Sequence, residues 1–174
     1  RGLAKSNHFL LVEDAAHSFG SARGLRKAGE FADYVLYSFS ATKILTSGMG
    51  GAIVSDDGEI VKLAATYANQ GKEELFGPTQ CDWPGFSCRY TEILAAVACA
   101  AYKGLFAEIA VRREQFVQYL YELADVIHFY NYGDSNFYKL MVMPPKDKVK
   151  EFSRVGFSAF LQEKGIQLSA CVYD

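Results

Sequence analysis

Apolar residues fall in short, dense runs separated by polar and glycine-rich stretches, and the runs change period along the chain. Phe9 to Glu13 is a continuous apolar run ending in acids, the pattern of a strand buried on both faces. Ala15 to Phe19 can open a helix or a turn directly after it. Tyr34 to Phe39 and Gly51 to Val54 read as a second and a third strand. Ser55-Asp56-Asp57-Gly58 carries turn and cap chemistry, so Glu59 to Asn69 is predicted as a helix closed by Gly71. Prolines and glycines between Gly77 and Tyr90 predict a loop. Beyond Thr91, a good N-cap, Ile93, Leu94, Val97, Ala98, Ala101, Leu105 and Ile109 recur at helical spacing. The pattern runs on through Phe116, Leu120 and Leu123, as one very long helix or two stacked ones. Asn136 to Met143 is predicted as a strand ended by Pro144-Pro145, Asp147 to Lys164 as a helix closed by Gly165, and Ile166 to Tyr173 as a final strand. Strands alternating with helices make the expected class α/β.

Three regions follow from this order: 1–90 as part of a larger sheet domain, 91–130 as connecting helices, and 131–174 as part of a smaller α/β domain. The chain starts without methionine and is within ten residues of its first strand, which suggests a fragment of a longer enzyme.

Composition narrows the partners. Half of the 174 residues are apolar and the formal net charge is only -2, so neither a nucleic-acid nor an acidic-membrane partner is expected. The apolar run from Ile93 to Ala101 is interrupted by Lys103 and Glu108, short of a membrane span, and no signal peptide is visible. Cys81, Cys88, Cys99 and Cys171 form no metal-binding spacing. Cys99, in an apolar run, reads as a buried reduced thiol, and a cytoplasmic location is expected.

Candidate chemistry gathers at the ends of the predicted strands. Asp14 falls where a buried parallel strand ends, the edge at which open α/β sheets bind ligands. It could be a helix N-cap for Ala15 onward, or serve as counter-ion to a cationic group such as a protonated pyridine. His17, three residues on, could share its face or be a structural side chain. Ser38-Phe39-Ser40-Ala41-Thr42-Lys43 follows the second strand, and Thr46-Ser47-Gly48-Met49-Gly50-Gly51 leads into the third. Hydroxyls and glycine amides together suit an anion, and a lysine amine beside them can form an imine with a carbonyl. Lys43 alone could equally be a surface lysine beside a glycine turn; the ordered combination with Asp14 and Ser38 is the more specific signal.

On these residues the sequence resembles the DegT/StrS family of pyridoxal-phosphate (PLP)-dependent nucleotide-sugar aminotransferases, of fold type I. The resemblance rests on Glu13-Asp14-Ala15-Ala16-His17, Ser38 through Lys43, Leu45 through Gly51, Asn69-Gln70-Gly71, and Gly85 through Glu92, in order and in register. It implies a large-domain sheet with flanking helices, a long connecting helix and part of a small C-terminal domain. It implies Lys43 as the Schiff-base lysine that also shuttles the proton, and Asp14 as partner of the pyridine nitrogen. His17 would lie near the ring's phenolic oxygen, and Ser38 would bind the phosphate. Ser87, another cofactor contact, and Arg89 would reach the neighbouring subunit's site, with Arg89 and Ser40 binding substrate; a homodimer with shared active sites follows. The implied reaction moves an amino group from an amino acid, with glutamate the expected donor, to a keto-sugar nucleotide. No metal is implied. Serine stands at 87 where the family usually has asparagine, methionine at 49 for glutamate, and cysteine at 88 for tyrosine. The alternatives are a PLP-dependent sugar dehydratase of the same family, a branch expected to lack the lysine, and a degenerate homologue with a binding or regulatory role.

Overall fold

The computed structural model describes residues 2–73, 81, 83–123, 128–129, 133–143 and 153–167. The chain divides into two compact units, one of residues 1–111 with 133–138, the other of 112–132 with 139–174.

The first unit opens with a short helix α1 (Gly2–Ser6) and the strand β1 (Val12–Asp14). A small antiparallel hairpin, β2 (Ala22–Arg23) with β3 (Arg26–Lys27), comes next; no hydrophobic run announces it. The strands β4 (Tyr34–Ser38) and β5 (Gly51–Ser55) follow, within a residue of where the β-rich runs place them. The sheet order is β1-β4-β5, with β1 parallel and β5 antiparallel to β4. Val35, in the middle strand, is buried, as are Ala15 and Leu45 just beyond the ends of β1 and β4.

β1 is less covered than its sequence suggests. Val12 and Asp14 are exposed and Glu13 is half-buried, because β1 is an edge strand among the described residues. Its alternation splits the two acids. The Glu13 carboxylate accepts the Gly29 N–H at 2.9 Å, whereas Asp14 faces the opposite side. Burial and the nearby Glu13 charge hold the Tyr37 phenol above its usual range, and that phenol donates to the Ala28 carbonyl at 3.1 Å.

Helix α2 (Gly58–Ala68) starts on Asp57, whose carboxylate accepts the Glu59 N–H at 2.9 Å. It ends through Gly71, at φ +77° and pressed against the Trp83 carbonyl. A methyl group on Gly71 would run into that carbonyl oxygen as well as demand a left-handed backbone. Gly71→Ala is therefore expected to lower stability by at least about 2 kcal/mol, read as a fall of several degrees in melting temperature.

Helix α3 (Glu92–Leu123) is one continuous helix of 32 residues. Thr91 caps it, its hydroxyl accepting the Leu94 N–H at 3.3 Å. Leu105, 2 % exposed, is its innermost side chain in the first unit, and Tyr102 meets Phe19 edge-on. Ile93, Val97 and Phe106 are exposed, and so is Cys99, contrary to the buried thiol expected from its surroundings. The expectation that Lys103 and Glu108 cut the apolar run too short also fails. An 18-residue stretch of α3 has a mean hydropathy of 1.6, so the helix is long and apolar enough, by length and composition alone, to cross a membrane. A core helix meets the same criterion, because apolar residues on every side suit burial in protein as well as in lipid.

Val142–Met143 forms β7, paired antiparallel with β6 (His128–Phe129) in the second unit. The strand expected over Asn136–Met143 is thus confined to its last two residues. Phe137 has φ +54°, and the Asn136 carbonyl oxygen of its side chain accepts the Tyr138 N–H, so the backbone turns where aromatic residues suggested extension. Helix α4 (Arg154–Glu163) is N-capped by Ser153, whose hydroxyl accepts the Gly156 N–H at 3.0 Å; the part of the expected helix from Asp147 to Phe152 lies outside the described residues. The strand expected over Ile166–Tyr173 lies outside the described residues beyond Gln167.

Candidate active site

β1 and β4 run side by side: Asp14, the last residue of β1, lies opposite Leu36, two residues before β4 ends, and the Ala15 N–H donates to the Leu36 carbonyl at 2.9 Å. Both chains then leave the sheet at its carboxyl edge. From β1 the chain makes a turn over Ala15–Gly20; from β4 it enters the loop Phe39–Gly50.

The second loop is tied down at many points. Phe39 N–H donates to the Gly50 carbonyl at 2.8 Å, Ser47 N–H to the Phe39 carbonyl at 3.1 Å, and Lys43 N–H to the Ser40 carbonyl at 3.0 Å. The Thr46 hydroxyl accepts the Gly48 N–H at 2.9 Å, and the buried Ser47 hydroxyl donates to the Met49 carbonyl at 2.7 Å. Tyr90 closes the loop from outside. Its hydroxyl donates to the Ser47 hydroxyl oxygen, while its ring lies over Gly50, where a Cβ would collide with it. Lys43 is thereby fixed on a backbone that has little freedom, as a reacting side chain requires.

Ala16, His17, Phe19, Ser38, Lys43, Ile44, Leu45 and Tyr138 line one narrow cleft, which as it stands holds no water-sized space. Three of the residues selected from sequence, Lys43, His17 and Ser38, are brought together there. Ser40 adjoins it, its hydroxyl and its N–H each 3.4 Å from the Ser38 hydroxyl oxygen. Asp14 sits at the mouth of the same sheet edge but not in the cleft lining. Its Oδ1 accepts the Ala16 N–H at 3.0 Å, so it caps a turn, not the helix weighed from sequence. A carboxylate has several acceptor positions, so that bond leaves acceptor capacity for a cation.

Ser87 and Arg89 are placed elsewhere. Ser87 forms a β-bridge with Asn69 beyond the end of α2, and the flanking Phe86 and Cys88 N–H groups donate to the Tyr67 and Ala68 carbonyls at 2.7 and 2.9 Å. Both Ser87 and Arg89 are exposed and neither lines the Lys43 cleft. No ion pair joins Arg89 to Glu92 among the described residues, although their spacing allows one.

The residue that sequence reading missed is Tyr138. Its ring lies 5.2 Å from Lys43 Nζ and 4.7 Å from the His17 ring, and its hydroxyl is 3.1 Å from that of Thr42. No local signal could have placed it, since it reaches the cleft from 96 positions away along the chain.

As a donor set, a half-buried amine, an imidazole, paired serine hydroxyls and a strand-end carboxylate fit pyridoxal phosphate. They offer a nucleophile for its carbonyl, a ring to face its ring, hydroxyls for its phosphate and a charge for its nitrogen.

The profile of the DegT/DnrJ/EryC1/StrS aminotransferase family matches residues 1–173. The chain belongs to that family. It is 35% identical over 127 residues to a dTDP-3-amino-3,4,6-trideoxy-alpha-D-glucose transaminase of Micromonospora megalomicea subsp. nigra, covering 72% of this chain and 33% of that protein. It is 29% identical over 171 residues to a GDP-perosamine synthase of Vibrio cholerae, covering 96% of this chain and 46% of that protein. Among solved structures, a DegT DnrJ EryC1 StrS aminotransferase from Brucella abortus superposes with a TM-score of 0.79 at 28% identity, over 95% of this chain and 43% of that one. The chain therefore spans between a third and a half of the length of these relatives. Its α/β architecture is that of part of a fold-type-I aminotransferase.

Proposed function

We propose that this chain carries the lysine side of the active site of a PLP-dependent nucleotide-sugar aminotransferase. The amino group would pass from an amino acid, glutamate in this reading, to a keto-sugar nucleotide. The observation that carries the reading is the convergence of Lys43, His17 and Ser38 on one cleft at the sheet edge where Asp14 ends β1. The names of the relatives, transaminases and synthases of amino sugars, support the substrate class.

The cofactor would supply a reactive carbonyl and an electron-withdrawing ring. Lys43 Nζ would hold it covalently and later carry a proton on and off the reacting carbon. The Asp14 carboxylate would keep the ring nitrogen protonated by its charge. His17 would lie beside the ring, and the Ser38 hydroxyl would bind the phosphate, as would Ser87 from the neighbouring subunit. Ser40 and Arg89 would bind substrate, Arg89 through the planar fork that suits oxyanions. The arrangement calls for a homodimer with shared sites, working in the cytoplasm without nucleic acid or membrane.

The dehydratase reading is not favoured: Lys43 is present, and the named relatives transfer amino groups. Incubating the full-length enzyme with glutamate and a panel of keto-sugar nucleotides, read by mass spectrometry, tests the proposal. An aminated sugar nucleotide is the expected product. A purified full-length protein that shows no cofactor absorbance and aminates nothing would point to a binding or regulatory homologue instead.

Arg89 offers a test of the shared site. It is exposed, on a loop just before α3, and unpaired with Glu92. If it serves the other subunit, mixing Arg89→Ala with Lys43→Ala subunits gives hybrids with one doubly defective site and one intact site. Activity near half that of wild type per hybrid dimer is expected. Hybrids that form and stay inactive would place Arg89 outside the partner's site.

A further inference from the structure

The segment Gly133–Tyr138 belongs to the first unit although the chain on both sides of it belongs to the second. It is stitched to the turn after β1. The Ala22 N–H donates to the Asp134 carbonyl at 2.8 Å, and the Gly24 N–H to the Asp134 carboxylate at 3.2 Å. Asn136, 1 % exposed, is the anchor. Its side-chain NH2 donates to the His17 and Phe19 carbonyls, both at 2.9 Å, its own N–H donates to the Ser21 hydroxyl at 3.0 Å, and its side-chain oxygen accepts the Tyr138 N–H at 3.0 Å. A fully buried amide with every one of these partners satisfied specifies one backbone geometry, because any other leaves polar groups unpaired. That geometry delivers Tyr138 to the cleft.

We infer that Tyr138 is a positioning residue of the Lys43 site, its ring covering one side of the amine and its hydroxyl held by Thr42, with Asn136 as the buried anchor that sets it there. Three contacts converge on the same ring: the Lys43 amine, the His17 imidazole and the Thr42 hydroxyl. An ammonium is attracted to the face of an aromatic ring, so Tyr138 keeps the end of Lys43 against the cleft rather than free in solvent. The same ring shields the nitrogen from reagents approaching on that side. Because Tyr138 also touches His17, it couples the loop after β4 to the turn after β1, the two segments whose side chains must act on one small molecule.

The inference rests on Lys43 being the amine the site uses, but its test needs no cofactor. The full-length protein, freed of carbonyl cofactor with hydroxylamine, is treated with cyanate, and carbamoylation of Lys43 is measured against that of exposed Lys27 by peptide mass mapping. Tyr138→Leu removes the ring and should raise the Lys43-to-Lys27 labelling ratio about two- to fivefold, the range expected for loss of a ring contact to a cation that is not fully desolvated. Tyr138→Phe keeps the ring and should stay within about twofold of wild type. Thr42→Val, at an exposed position where folding is not at risk, should give a rise between the two. Lys27 is already exposed, so a general loosening is recognised separately, by a fall in the melting temperature of the same variants. Unchanged ratios in Tyr138→Leu, or in Thr42→Val should the leucine variant not fold, overturn the inference.

Discussion

Lys43→Arg is expected to abolish transamination by the full-length enzyme, with the fold intact. Arginine keeps the positive charge and much of the length, and the loop that carries it is held by bonds of the backbone, Thr46, Ser47 and Tyr90 that the substitution does not touch. What is lost is the amine. A guanidinium stays protonated and forms no imine, so neither the covalent hold on the cofactor nor proton transfer at that nitrogen survives. Loss of the group that acts in both steps costs many kcal/mol, on the scale of a 10⁴-fold or greater fall in rate. Steady-state assay with unchanged circular dichroism is the check, and turnover within tenfold of wild type would remove Lys43 from the chemistry.

Asp14→Asn is expected to cost about a hundredfold or more in turnover while leaving stability nearly unchanged. The amide is close to isosteric, and its oxygen can still accept the Ala16 N–H that Oδ1 now accepts. The capping role therefore survives the substitution and the charge does not. Loss of a charge partner at a reacting centre typically costs several kcal/mol. Normal turnover in Asp14→Asn would leave Asp14 as a cap and nothing more; a matching fall in melting temperature would place its effect in folding.

Much of this site is written locally in the sequence, and the part that is not has a common cause. β4, β5 and α2 could be read because each couples a periodic pattern to its own stop signal, such as Asp57 before α2 and Gly71 after it. Lys43, Ser38 and His17 could be chosen because strand ends in α/β sheets converge on one edge, and the structure brings those three together. Tyr138 could not. Its run of aromatic and apolar neighbours reads as a strand, but the buried hydrogen bonds of Asn136 to His17, Phe19 and Ser21 outweigh that local preference and turn the backbone. Cys99 and Val12 went wrong in the opposite direction. Their apolar surroundings promise burial, yet burial depends on what packs alongside, and among the described residues both are left exposed. The hairpin β2–β3 carries Arg23, Arg26 and Lys27, and no hydrophobic alternation marks it.

The central claim is that Lys43 holds the cofactor. Borohydride reduction of the full-length holoenzyme, followed by proteolysis and peptide mass mapping, tests it most directly. The account predicts the pyridoxyl group on the peptide containing Lys43; the same mass on Lys27 or Lys62, with Lys43 unmodified, would contradict it.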